Sequence, residues 1–356
     1  MRYSDRLSRR SLLGGLGAGA AALAAPPSIG SAAAESKRLV IRDLGIGSSF
    51  AEAYGKPFTE ATGIEVVPVT GQNEPLGFMK QMVETKTYTW DMSIVSKQIA
   101  DQLASDGGGY LEPLRLEGAT GFQALPDIFK TSYYAANDVV GTVLGYRKTV
   151  VKRPPTSWAD LWNVTEFPGR RALGKFPSDT LTQALLADGV DPKALYPIDF
   201  DRAFKSLDRI RKDVAVWWGS GAQSSQLLQS GEVDFCPTWN GRAQVAINAG
   251  APVAIMREQQ FWQTEGWVIP KGSPNADLCR KFIAFALDPR RQAVFASKTG
   301  YGPSLGAAAI AHVDSAIAVT LPTHPDNAKT AILIDVGYWA RVKDMANDRF
   351  NKWLLG

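Results

Sequence analysis

Cysteine and histidine are nearly missing from this chain: 356 residues hold two of each. Cys236 and Cys279 permit one disulfide at most. Each lies within an apolar run, strand-like for Cys236 and helix-like for Cys279, so two buried free thiols are the expectation. His312 and His324, both late in the chain, are too few for a histidine-rich metal site and leave little material for an activated nucleophile. Cys-x-x-Cys, Gly-x-Ser-x-Gly, P-loop and His-Glu-x-x-His motifs are all lacking. After residue 34 no apolar run reaches the roughly 20 residues that a membrane-crossing helix needs. A dominant charge is lacking too. The formal net charge is +4, but Arg2, Arg6, Arg9 and Arg10 face only Asp5 in the first 34 residues. The remainder is close to neutral, with no broad footprint for nucleic acid.

What is present begins with Ser8-Arg9-Arg10-Ser11-Leu12-Leu13. A basic start, an apolar run of Leu, Ala and Gly from Leu12 to about Ala25, and Ala32-Ala33-Ala34 form a tripartite export signal with an A-x-A cleavage site. The paired arginines predict the twin-arginine route. The mature chain is expected to start near Glu35, without a lipid anchor, and to work in a bacterial periplasm.

The mature part alternates short β-rich runs with helical patterns. Leu39–Ile41, Ile64–Val69, Trp90–Val95 and Val139–Tyr146 read as strands, and Ala51–Thr62, Leu76–Thr85 and Gln98–Asp106 as helices. A second alternation follows. Strands near Arg171–Gly174, Val214–Trp217, Val233–Thr238, Val253–Met256 and Gly266–Ile269 are interleaved with helices at Leu181–Ala187, Phe200–Arg211, Gln223–Ser230 and Arg242–Ala249. Asn275 to Leu355 is mostly helical. The pattern predicts two α/β units, near 37–145 and 146–263, each a mostly parallel sheet flanked by helices. A ligand is expected in the crevice at the carboxyl ends of the strands.

Several residues at strand ends suit a small ligand. Trp239 ends a strand in Pro237-Thr238-Trp239-Asn240-Gly241-Arg242, and a tryptophan face attracts a cation. Trp262 and Trp267 flank Glu265, and Tyr301 lies in Gly300-Tyr301-Gly302-Pro303. Glu265 or Asp179 would neutralise an ammonium. Arg242 opens a helix beside free backbone N–H groups, a place for a carboxylate or phosphate, or else for an exposed arginine paired with Glu232 or Asp234. Ser96 and Gln98 follow a strand, as does Gly45-Ile46-Gly47-Ser48-Ser49. Trp158, Trp162, Trp217 and Trp218 read as packing.

At this point the chain resembles the periplasmic substrate-binding proteins of ABC importers, in particular the spermidine/putrescine-binding branch. The residues that carry the resemblance are Phe58-Thr59-Glu60-Ala61-Thr62-Gly63-Ile64-Glu65-Val66, Ser157-Trp158-Ala159-Asp160-Leu161-Trp162, Gly231-Glu232-Val233-Asp234 through Trp239-Asn240-Gly241, Ile269-Pro270-Lys271 and Gly300-Tyr301-Gly302-Pro303. The resemblance implies the two-lobed, type II periplasmic-binding-protein fold with a hinge and a central cleft. The N-lobe would take 35–145 plus about 264–308, and the C-lobe 146–263 plus about 309–356. It further implies an aromatic box and carboxylates around an amine, matched here by Trp239, Tyr301 and Glu265, with Asp179 as a second acid. Other positions depart from polyamine binders. Ile46, Ser49 and Phe50 stand where aromatics follow the first strand, Gln98 replaces a tyrosine, an acid is replaced near Lys175-Phe176, a glutamine position falls on Leu333, and Arg242 replaces a small neutral residue.

The expected ligand is therefore a small amine-bearing solute, polyamine or ω-amino acid, held by Trp239, Glu265, Tyr301, Arg242, Asp179, Ser96, Gln98, Ile46, Ser49, Phe50 and Trp262. The resemblance implies a monomer that closes about its hinge and docks on an inner-membrane ABC permease, with no cofactor, no nucleic-acid partner and no catalysis. Two rivals are a ferric-iron carrier of similar fold, suggested by Tyr133-Tyr134, and an exported hydrolase.

Overall fold

The computed structural model describes residues 38–43, 45, 47–70, 75–105 and 109–356. The export signal and Ile46 lie outside these residues. Among the described residues eleven strands form one mixed sheet: β1 (Arg38–Asp43), β2 (Glu65–Thr70), β3 (Met92–Ser96), β4 (Lys130–Thr131), β5 (Tyr134–Arg147), β6 (Arg171–Gly174), β7 (Val214–Trp218), β8 (Phe235–Trp239), β9 (Val253–Val268), β10 (Gly302–Pro303) and β11 (Ile332–Leu333). The main order is β2-β1-β3-β9-β5-β8-β6-β7. β1 pairs with β2 and β3 in parallel at one end, and β6 with β7 and β8 in parallel at the other. Each parallel set is a product of β-α-β alternation, because parallel neighbours need a crossover connection.

Between the two sets run β5 and β9, antiparallel to each other and to their outer neighbours β8 and β3. They are 14 and 16 residues long. The sequence pattern started β5 at Val139 and broke β9 into two pieces. Polar residues caused both errors. Asn137 and Asp138 interrupt the apolar run of β5, yet both are fully buried in the sheet. In β9 the pairing passes from Thr142↔Phe261 to Leu144↔Met256, so Arg257, Glu258, Gln259 and Gln260 bulge out opposite Val143. Gln259 takes a positive φ of 56°, and Gln260 Nε2 donates to the carbonyls of Pro322 and Asn327 at 3.1 and 2.8 Å. A bulge leaves extra residues unpaired without ending the strand.

The buried apolar side chains gather in clusters that divide the chain. Two clusters draw on residues between 39 and 140 and between 267 and 309, with Phe50, Phe58, Trp267 and Phe282 at the centre of the larger. Two others draw on residues between 143 and 261 and between 332 and 350, around Trp158, Leu207, Phe235 and Phe261. The helix Phe200–Ile210 shows how such a face forms. Asp199 caps its Arg202 N–H at 3.0 Å, and Ala203, Phe204, Leu207 and Ile210, at helical spacing, are buried. Cys236 and Cys279 are buried free thiols, and burial pushes both well up. Among the described residues no helix is long and apolar enough to cross a membrane.

Candidate functional site

The ends of β3 and β8 and the middle of β5 and β9 surround a cavity of about 470 Å³. Its walls include Ser96, Gln98, Val140, Phe176, Trp239, Arg242, Gln263, Glu265, Tyr301 and Lys343. The acidic side is built by register. Glu265 on β9 stands opposite Ser96 on β3 and opposite Asp138 on β5. Burial raises the Glu265 carboxyl to about 7, against the pull of Arg242 and Arg42. Asp138 beside it is held well above the usual carboxylate range by burial and then by the charge of Glu265. Asp138 Oδ2 accepts from Asn137 Nδ2 at 2.9 Å, and its Oδ1 is buried with no hydrogen-bond partner.

The basic side starts where β8 gives way to the helix Asn240–Asn248. No side chain caps this helix, so its first turn presents free N–H groups. Arg242 projects from that turn. Its Nε is buried without a hydrogen-bond partner, and among the described residues no acid lies within ion-pair distance of it. The alternative pairing with Asp234 is ruled out, because that carboxylate serves Arg170 at 3.2 Å and Arg147 at 3.8 Å. Two glycines make room nearby. A Cβ at Gly221 would stand 2.8 Å from the Trp239 ring and 2.9 Å from Arg242 Nε, and one at Gly241 would stand 2.8 Å from the Tyr301 ring.

The apolar side is aromatic. Trp239 makes an edge contact with Trp218 at 5.9 Å and lies 5.7 Å from Phe176, the residue that precedes the helix Pro177–Ala187. Tyr301 is buried against the first cluster, and burial followed by the Glu265 charge raises its hydroxyl. Asn240 fixes the geometry between these parts. Its Oδ1 accepts from the Gly141 N–H on β5 at 3.0 Å, and its Nδ2 donates to the Gly300 carbonyl beside Tyr301.

Six residues named from the sequence thus meet in one cavity: Ser96, Gln98, Trp239, Arg242, Glu265 and Tyr301. Asp179 stands behind it. Its Oδ2 accepts from Thr142 Oγ1 at 2.9 Å and its Oδ1 from Gln263 Nε2 at 3.0 Å, while burial raises it to about 6. Ser49 borders an adjoining space of about 270 Å³ that shares Arg242 and Tyr301. Phe50 is a correction. It begins a helical turn whose apolar side faces the core, stacks on Phe282 at 6.1 Å and is 1% exposed. Trp262 is another. Strand alternation sends it away from Gln263 and Glu265, toward Phe129 at 6.5 Å.

Sequence reasoning passed over Asp138, Gln263 and Lys343, and met Phe176 only as a place where an acid of the polyamine binders is replaced. Gln263 was accessible through the period of two that links it to Glu265, and Asp138 through the oddity of an acid inside an apolar run. The tyrosine pair lacks the character of an iron site. Tyr134 is buried and donates to Thr264 Oγ1 at 3.0 Å, and among the described residues no group of three or more His, Cys, Asp or Glu could hold a metal.

Comparison with known proteins adds an independent line. The family model for bacterial extracellular solute-binding proteins matches residues 53–323. A gamma-aminobutyric acid-binding protein of Pseudomonas aeruginosa is 35% identical over 363 residues, spanning 99% of this chain and 97% of that protein. The spermidine/putrescine-binding periplasmic protein of Escherichia coli is 27% identical over 265 residues, 70% of this chain and 73% of that one. A solved ABC transporter substrate-binding protein from Bradyrhizobium japonicum superimposes with a TM-score of 0.83 at 32% identity, covering 89% of this chain and 99% of the other. The fold is the two-lobed one of periplasmic binding proteins.

Proposed function

The chain belongs to the bacterial extracellular solute-binding protein family, and we propose that this member captures a short ω-amino acid of the γ-aminobutyrate type for an ABC importer. The carrying observation is Arg242, a guanidinium with a buried, unpartnered Nε in the same cavity as Glu265. A buried charge without a partner costs several kcal/mol. A ligand carboxylate supplies that partner, while the ligand ammonium meets Glu265 and the face of Trp239. The gamma-aminobutyric acid-binding relative supports this choice. The polyamine reading draws on the Escherichia coli relative and on the two carboxylates, Asp138 and Glu265. It leaves Arg242 facing a cation.

Capture works by closure of two lobes, 35–145 plus about 264–308 against 146–263 plus about 309–356, about β5 and β9. The division of the apolar clusters supports these boundaries. Glu265, Ser96 and Tyr301 then approach Arg242, Trp239 and Phe176 from the opposite lobe. Lys343, on the helix Val336–Leu355 that reaches the helix Lys97–Ser105, closes the mouth. The protein acts as an exported periplasmic monomer carried by the twin-arginine route, hands its cargo to an inner-membrane permease and makes no bonds. The test is calorimetry and thermal shift with γ-aminobutyrate, putrescine, spermidine, common amino acids and ferric citrate. A ligand at 100 times its Kd adds about 2.7 kcal/mol of stability. γ-Aminobutyrate is expected to give the largest shift; a shift from spermidine or ferric citrate alone rejects the assignment.

A further inference from the structure

Asp138 and Glu265 are directly opposed on antiparallel strands β5 and β9, a relation that places Cβ atoms roughly 4.5–5.5 Å apart. Among the described residues neither carboxyl has a cation within ion-pair distance. Asp138 is 1% exposed, and its Oδ1 has no donor. Compensation at that depth is partial: Asn137 Nδ2 donates to Asp138 Oδ2 at 2.9 Å, and Oδ1 receives nothing. Tyr54 and Asn137 lie beside Asp138, and burial followed by the Asp138 charge holds the Tyr54 hydroxyl in its protonated form. Tyr134 is occupied by Thr264, and Pro303 of β10 opposes Asp138 from the other side. Arg242 and Arg42 act on Glu265 from a distance, and Tyr301 faces it. Two adjacent anions in such a place repel by several kcal/mol, so the second carboxyl ionises only well above the pH at which the first does.

We propose that Asp138 sets the ligand charge class of this site by sharing a proton with Glu265, so that the acidic pocket presents one negative charge, selects a single ammonium and discharges a proton when that ammonium arrives. This rests on the cavity assigned above. With Asp138 protonated, Glu265 and Arg242 together are neutral, which matches a zwitterion. With both carboxyls ionised the acidic side carries two negative charges, which matches a diamine. The proton balance is explicit. At pH 6 Glu265, raised to about 7, is mostly protonated in the free protein and gives that proton to solvent as the ammonium docks, while the proton shared with Asp138 stays. Both carboxyls are held upward by burial, consistent with this inventory.

The experiment is calorimetry of the full mature chain with γ-aminobutyrate and with putrescine, from pH 6 to pH 9, in buffers of different ionisation heat. The wild type is expected to release about one proton on binding γ-aminobutyrate at pH 6 and less than half of one at pH 8.5. The ratio of γ-aminobutyrate to putrescine affinity is expected to fall toward alkaline pH, as the second carboxyl of the pair ionises. In Asp138→Asn that fall disappears, because asparagine has no proton to lose. A purely structural aspartate would instead weaken both ligands at every pH and leave the slope intact. No proton release at pH 6, or an equal slope in Asp138→Asn, overturns the proposal. If neither amine binds, the functional reading fails, and infrared difference spectra of ligand-free wild type minus Asp138→Asn at pH 7 decide this one. A neutral-carboxyl band supports it and an absent band overturns it.

Discussion

Gln263 donates its side-chain amide to Asp179 at 3.0 Å, so this acid behind the cavity is engaged in orienting a neighbour. Thr142 takes its other oxygen. An ammonium reaching Asp179 would have to displace Gln263. Asp179→Asn is therefore expected to weaken γ-aminobutyrate only about threefold, through loosened Gln263. Glu265→Gln is expected to weaken it about a hundredfold, the loss of a charge-assisted contact. Titration calorimetry of both variants checks the ranking, and equal losses would place Asp179 in contact with the ligand.

Arg242→Ala separates the two ligand classes. Without the guanidinium, a ligand carboxylate loses its partner and γ-aminobutyrate affinity is expected to drop about a hundredfold. Putrescine has no carboxylate to lose and no longer meets a like charge, so its affinity is expected to hold or rise. An unchanged Kd for γ-aminobutyrate in this variant rejects the zwitterion assignment.

Gly221→Ala tests the packing behind both groups. The added methyl would lie within 2.9 Å of Trp239 and Arg242, inside van der Waals contact. Overpacking of this kind costs about 1–3 kcal/mol. The expected result is a Tm lower by several degrees and an affinity lower by about tenfold, since both displaced side chains line the cavity. Preserved affinity with a lowered Tm would show that the cavity adapts.

The ligand-free protein should lose stability as pH rises. Asp179 at about 6 and Glu265 at about 7 lie above their ordinary values. The native state thus binds more protons than the unfolded chain across this window. Their contribution is complete below the normal carboxylate range and is lost as pH climbs through 6 to 7. The size is roughly 2–3 kcal/mol per group. Thermal melts at pH 5 and pH 8 are expected to show the lower Tm at pH 8, and a higher Tm there would contradict these carboxyl environments.

Much of this molecule was legible because its elements obey local rules. Helices such as Pro75–Thr85 and Phe200–Ile210 carry apolar residues at the 3.6 period, and Arg171–Gly174 is a short apolar strand between loops. Trp239, Glu265 and Arg242 stood out because reactive side chains at strand ends have few structural reasons to be there. What escaped was set by long-range pairing. The polar stretch Arg257–Gln260 reads as a loop, yet β9 continues past it on hydrogen bonds to β5 and on ties to Pro322 and Asn327. Asp138 stands beside the cavity residue Glu265 only through strand register, more than a hundred residues away in sequence. Phe50 looked available in one dimension and proved to be enclosed by Phe282 and Trp267.

One carboxamide, that of Asn240, links the middle of a crossing strand to the loop that carries Tyr301, from the residue two before Arg242. The start of the Arg242 helix, the strand β5 and the loop of Tyr301 are therefore fastened at one side chain, so removing the Asn240 carboxamide would loosen all three together.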